Sequence, residues 1–133
     1  MKSSKSTRGV LWEEAPDIKK EIENLVIHLD FNNVRVPRVF CFRSFGSSSR
    51  ARARIWSLPR IWQKALETAP AYCLEVLSEK FDHLPKDQRT QILIHELLHI
   101  PQNFSGSLLP HYRRRAKLPQ DFFKILLKKG IKL

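Results

Sequence analysis

His95 and His99 stand four residues apart and flank Glu96 in the string His95-Glu96-Leu97-Leu98-His99. On a helix this spacing puts both imidazoles on one face, one turn above the other. Imidazoles so placed can hold one zinc ion, with the carboxylate beside them as a general base. The chemistry implied is metal-assisted hydrolysis of a peptide bond. The string lies in an apolar run, residues 92–100, and Ile92, Leu93, Ile94, Leu97, Leu98 and Ile100 predict a central, buried helix. Buried imidazoles and a buried carboxylate need partners. A metal ion is one answer; core histidines satisfied by hydrogen bonds, with Glu96 in a salt bridge, is the other.

A catalytic zinc takes a third protein ligand and leaves its fourth position to water. The metzincin continuation, a glycine and a histidine soon after the second histidine, is absent: residues 102–105 stand in that place. No glutamate follows Glu96, so a glutamate from a later helix is excluded too. His111 and Asp121 remain as candidates. His111 follows a loop able to double back after Pro101, and a neutral imidazole suits zinc. Asp121 sits where a helix is expected to begin, and capping that positive end is a simpler role for it. Tyr112, beside His111, could donate to an oxyanion, or be an ordinary exposed tyrosine.

The elements that must position these residues read as follows. Residues 1–9 form a disordered basic tail, and residues 10–133 form a single domain, as the length of 133 residues suggests. Pro16 and Asp17 open a helix whose Ile18, Ile22, Leu25, Val26 and Leu29 make one apolar face, ended by Asn32 and Asn33. Residues 36–44 read as a strand, and residues 51–57 alternate, with Arg52, Arg54 and Trp56 on one side. Together they suggest a hairpin with a loose tip at Gly46 and the serines after it. Residues 58–66 are either a short helix or a loop. Residues 71–77 are a third strand, with Glu75 solvent-facing by alternation. The motif helix covers residues 86–100 and is stopped by Pro101. A last helix covers residues 121–129. The order predicts an α+β domain, with a small mostly antiparallel sheet packed on the motif helix. Trp56 and Trp62 are expected in the core.

The net charge is +11. It implies attraction to polyanions rather than any fold. Arg43, Arg50, Arg52, Arg54 and Arg60 cluster mid-chain, and a second group runs from Arg113 to Lys132. These read as a solvated basic surface or as a nucleic-acid-facing patch. No segment is long and apolar enough to span a membrane, and no apolar stretch follows the basic start, so neither a membrane nor a signal peptide is expected and the location is cytoplasmic. Cys41 and Cys73 read as reduced, buried hydrophobes.

The wider string from His95 to His111 (HELLHIPQNFSGSLLPH) resembles a family of small metallopeptidases from archaea, bacteria and phages. Their shared pattern is HELLHIP, a Phe-Ser-Gly step, then a histidine. Residues 55–59 and 72–81 are also similar, so the likeness covers roughly residues 36–115. More distantly the chain resembles SprT-like zinc proteases, which also take a third histidine from beyond the motif helix. The resemblance implies a minimal zincin fold, with a twisted sheet, the motif helix and a shortened C-terminal part. It implies Zn2+ as cofactor, His95, His99 and His111 as ligands, and Glu96 as the carboxylate that deprotonates a metal-activated water. Peptides or proteins would be the substrates. It implies no particular substrate, and the basic tail and lysine-rich end lie outside it.

Overall fold

The structure, a computed structural model, describes residues 9–110. Residues 1–8 of the expected tail 1–9, His111, Tyr112, Asp121 and the expected last helix lie outside the described residues. In chain order come β1 (Leu11–Glu14), α1 (Pro16–His28), β2 (Val39–Phe45), β3 (Ala53–Ser57), α2 (Arg60–Leu66), β4 (Tyr72–Leu77), α3 (Ser78–Phe81) and α4 (Lys86–Leu97). A single 3₁₀ turn at Val36–Arg38 leads into β2. Among the described residues no helix is long and apolar enough to cross a membrane.

The sheet order is β1-β2-β4-β3. β1 runs antiparallel to β2, β2 parallel to β4, and β4 antiparallel to β3. The α+β class expected from sequence is present, and the sheet is mixed: two of its three pairings are antiparallel, and β2 with β4 is the parallel one. The expected hairpin of β2 with β3 does not form, because β4 inserts between them. The cause is burial. β4 is buried at five of its six positions, as an interior strand with a neighbour on each side can be, whereas β3 is buried at only one of its five positions and is suited to an edge. β1 carries no such signal, since all four of its residues are exposed.

One face of the sheet presents Val39, Cys41, Ala53, Tyr72, Leu74 and Val76 to the helices. Ile18, Ile22 and Leu25 of α1 and Leu93, Ile94 and Leu97 of α4 pack against it. Each such aliphatic side chain contributes about 1.5–3 kcal/mol when fully buried. In α1 these residues fall at helical spacing behind Pro16, which suits the first turn, and Asp17, which complements its positive end. Asp30, with φ of 55°, turns the chain out of the helix.

The mid-chain arginines serve separate purposes. Arg43 donates to Asp17 at 3.1 and 2.9 Å and to Asp82 at 2.9 and 3.0 Å, tying α1 to β2 and to the end of α3. Its guanidinium holds the Asp17 carboxyl below the ordinary aspartate range. Cys41 and Cys73 are both free. Cys41 lies opposite Leu74 and Cys73 opposite Phe40, so the two thiols face opposite sides of the sheet. Burial pushes the Cys41 thiol up to about 12, which makes it inert.

Candidate metal centre

α4 begins after Pro85 and carries Asp87 in its first turn, where a carboxylate complements the helix dipole. Thr90, Leu93, Ile94 and Leu97 form the stripe that faces the core. The expectation of burial on almost every side holds from Leu93 onward; before that, Lys86, Asp87 and Gln88 are exposed. The helix ends at Leu97 rather than continuing to residue 100. Residues 98–100 wind more tightly, with His99 N donating to Glu96 O and Ile100 N to Leu97 O, both at 3.1 Å. Pro101 is the cause, because it disfavours helix at the residue before it. Asn33 then donates its amide to the carbonyls of Ile100 and Pro101, each at 3.1 Å. It satisfies acceptors that a helix end leaves open. Sequence reading saw Asn33 only as a helix breaker; it is also the clamp on the end of the motif.

His95 and His99 come together as the spacing predicts. Their ring centroids lie 5.1 Å apart with the planes at 85°. His95 is half-buried and His99 buried. The Glu96 carboxyl is buried between the helix and the sheet edge, and that burial raises it to about 7. A cation brought beside it would favour the charged form and pull it back down.

His99 Nδ1 lies 2.6 Å from the carbonyl oxygen of Leu109. A carbonyl oxygen can only accept, so Nδ1 carries the proton. In the neutral ring Nε2 then keeps its lone pair, which is the tautomer a metal ligand requires. Leu109 N returns a bond to His99 O at 2.7 Å, so the two residues hold each other reciprocally.

The loop that delivers Leu109 is locked by side chains far away in sequence. Phe104 is buried and meets the Tyr72 ring edge-on, at 5.0 Å and 70°. The Tyr72 hydroxyl donates to Ser107 O at 2.7 Å and accepts from Gly106 N at 2.8 Å. Gln63 on α2 donates to Leu58 O at 2.7 Å and to Ser105 O at 2.9 Å. Gly106 has φ of +97°, and a Cβ there would lie 2.2 Å from Gln63 Nε2 and 2.5 Å from Leu58 O. The Phe-Ser-Gly step is therefore a structural lock: it returns the chain to His99 at Leu109, two residues before His111.

A cleft of about 440 Å³ opens between the start of β3 and α4. Arg50, Arg52 and Ala53 line one side, and Gln91, Ile92, His95 and Glu96 the other. β3 is an edge strand, whereas β4 lies inside the sheet. An extended chain could add to β3 beside the motif.

Among the described residues, no group of three or more His, Cys, Asp or Glu side chains is arranged to hold a metal ion. The third-ligand candidates, His111 and Asp121, both lie outside those residues. His28 bonds the Asn24 carbonyl at 2.7 Å, and His83 is exposed in the turn before α4. Two further expectations are overturned. Glu75 is buried rather than solvent-facing, accepting from Arg54 Nε at 2.8 Å and Trp56 Nε1 at 2.7 Å. Trp56 and Trp62 are 47% and 55% exposed instead of lying in the core. Strand alternation assigns a face to a residue; it does not say which face is covered or what pairs there.

The sequence matches the family described as "Putative phage metallopeptidase" over residues 10–123, which takes in β1 and α1 as well as the motif. No curated protein and no solved structure matches the chain.

Proposed function

The chain belongs to this phage metallopeptidase family, and we propose that it is a zinc-dependent peptidase with a zincin-like site. His95, His99 and His111 would be the ligands and Glu96 the general base. The observation that carries this reading is the bond from His99 Nδ1 to the Leu109 carbonyl, which leaves Nε2 as the basic nitrogen beside the His95 ring. Two imidazoles at helical spacing, one of them with its tautomer set by a backbone carbonyl, are a donor set that fits zinc.

When bound, a zinc ion supplies Lewis-acid polarisation of the scissile carbonyl and lowers the pKa of water toward neutrality. The chain's own residues do the rest. His95 and His99 fix the position of the charge, and the Leu109 carbonyl orients the second of them. Glu96 takes a proton from the attacking water and passes it to the departing amine. The outer edge of β3 holds the substrate extended by strand addition, along the cleft that His95 and Glu96 line.

Glu96→Gln is the test. The variant should retain zinc and lose hydrolysis of a broad peptide library by about 10²–10⁴-fold. Cleavage by that variant as fast as by the wild type would sink the mechanism.

A further inference from the structure

The face of the sheet turned away from α1 and α4 carries an unusual set of side chains. Trp12, Phe40, Phe42, Arg54, Trp56, Cys73 and Glu75 share it by strand register. Trp12, Phe40 and Trp56 are 53%, 42% and 47% exposed. Between them lies a trough of about 460 Å³ lined by Trp12, Phe42, Trp56, Cys73 and Glu75. Exposed apolar surface gathered in this way marks an interaction site.

The aromatic rings are held in place and accompanied by cations. Trp56 is oriented by its indole bond to Glu75, and the Arg54 guanidinium lies over its ring at 5.0 Å from the centroid. Arg54 also neutralises Glu75, at 2.8 Å. Lys19 and Arg38 both lie over the Phe40 ring, at 5.8 and 5.7 Å. Among the described residues neither is held by a carboxylate. Lys19 donates to the carbonyls of Val36 and Val39, and Arg38 donates to the carbonyls of Pro70 and Ala69 and to the Thr68 hydroxyl. Carbonyl and hydroxyl oxygens orient these cations without cancelling their charge. Glu14, on β1, is the one other carboxylate among the described residues of this face.

We propose that this face binds single-stranded nucleic acid, with bases stacked on Trp12, Trp56, Phe40 and Phe42 and phosphates drawn to Lys19 and Arg38. Aromatic rings on a sheet, with Trp56 oriented by Glu75 and with Lys19 and Arg38 gathered at Phe40, provide both halves of that recognition. The chain's net charge of +11 adds long-range attraction for a polyanion. Duplexes fit poorly, because their base faces are already stacked. This surface is separate from the cleft at His95 and Glu96, so the inference stands independently of the peptidase reading.

Fluorescence anisotropy of labelled oligothymidylate and oligouridylate, with a duplex of equal length as control, tests it on the full chain. Single strands should bind more tightly than the duplex, and affinity should fall steeply between about 50 and 200 mM salt. Trp12→Ala should weaken single-strand binding about tenfold. Trp56→Phe, which keeps a stacking ring, should retain most of it. Arg38→Gln should reduce the salt dependence. Absence of binding would overturn the proposal, and so would equal binding of duplex and single strand unaffected by Trp12→Ala. Sedimentation giving a dimer that Trp12→Ala dissociates would assign the face to a second copy of the chain, and would overturn it too.

Discussion

His99 and Leu109 bond each other twice: the imidazole Nδ1 donates to the Leu109 carbonyl at 2.6 Å, and the Leu109 amide donates to the His99 carbonyl at 2.7 Å. The tautomer of a metal-ligand candidate is thus set by a backbone group ten residues on. Long-range proton–nitrogen correlation spectra of the metal-free protein at neutral pH should find His99 protonated on Nδ1. A proton on Nε2 instead would contradict this geometry. Leu109→Pro removes the returning amide and should lower zinc affinity about tenfold, measured by competition with a chelating dye.

The third ligand separates by substitution. His111→Ala should leave the purified protein without stoichiometric zinc after dialysis against a chelator, while Asp121→Asn should keep it. The reverse pattern would transfer the role to Asp121. Zinc retained in both single variants and in the double variant would mean that His95 and His99 hold the ion without either residue.

Gly106→Ala should destabilise the fold by about 3 kcal/mol, since it adds a left-handed backbone penalty to a collision with the Leu58 carbonyl. Thermal unfolding checks the size of the loss. The same variant should bind zinc more weakly, because the displaced loop carries Leu109 away from His99. A variant that unfolds earlier yet binds zinc with unchanged affinity would break the link between the lock and the site.

Glu75 gives the fold an acid limit. Burial would raise its carboxyl, but the bonds from Arg54 and Trp56 outweigh that and hold it below the ordinary glutamate value of 4.5. A carboxyl lowered by folding adds stability that is complete above 4.5 and disappears as pH falls through the folded value. Wild-type stability to urea should therefore decline below that pH. Glu75→Gln should cost about 2 kcal/mol at neutral pH and flatten the acid decline. An equal acid slope in the variant would assign the effect to other carboxyls.

Much of this was legible in the residues. The apolar spacing of Ile18, Ile22 and Leu25 announced α1, and the histidine spacing brought His95 and His99 together as expected. The partners of strands were not legible. β3 follows β2 closely, yet β4 takes the place between them, and residues 72–77 read only as a third strand with Glu75 turned to solvent. The burial of Glu75 was hidden for a related reason. Its partners, Arg54 and Trp56, come from a strand whose adjacency could not be read locally. The anchoring roles of Asn33, Gln63 and Tyr72 likewise rest on contacts 34 to 68 residues away. The Phe-Ser-Gly step entered the sequence reading only as part of the family pattern, and nothing in it named these partners.

The strand order also bears on how the chain reaches this state. α1 separates β1 from β2, α2 separates β3 from β4, and β2 pairs with β4 across the whole of β3 and α2. No two strands are joined by a tight turn, so each pairing must close a long stretch of chain before any ladder bond rewards it. Folding should accordingly be slow for a domain of this size, with refolding in the millisecond-to-second range. On a ribosome, β4 emerges after the two strands it must join, and α4 emerges later still. His95 and Glu96 meet the edge of β3, and Leu109 meets His99, only when these late segments have docked on the sheet, so the candidate site is the last part of the described fold to be assembled.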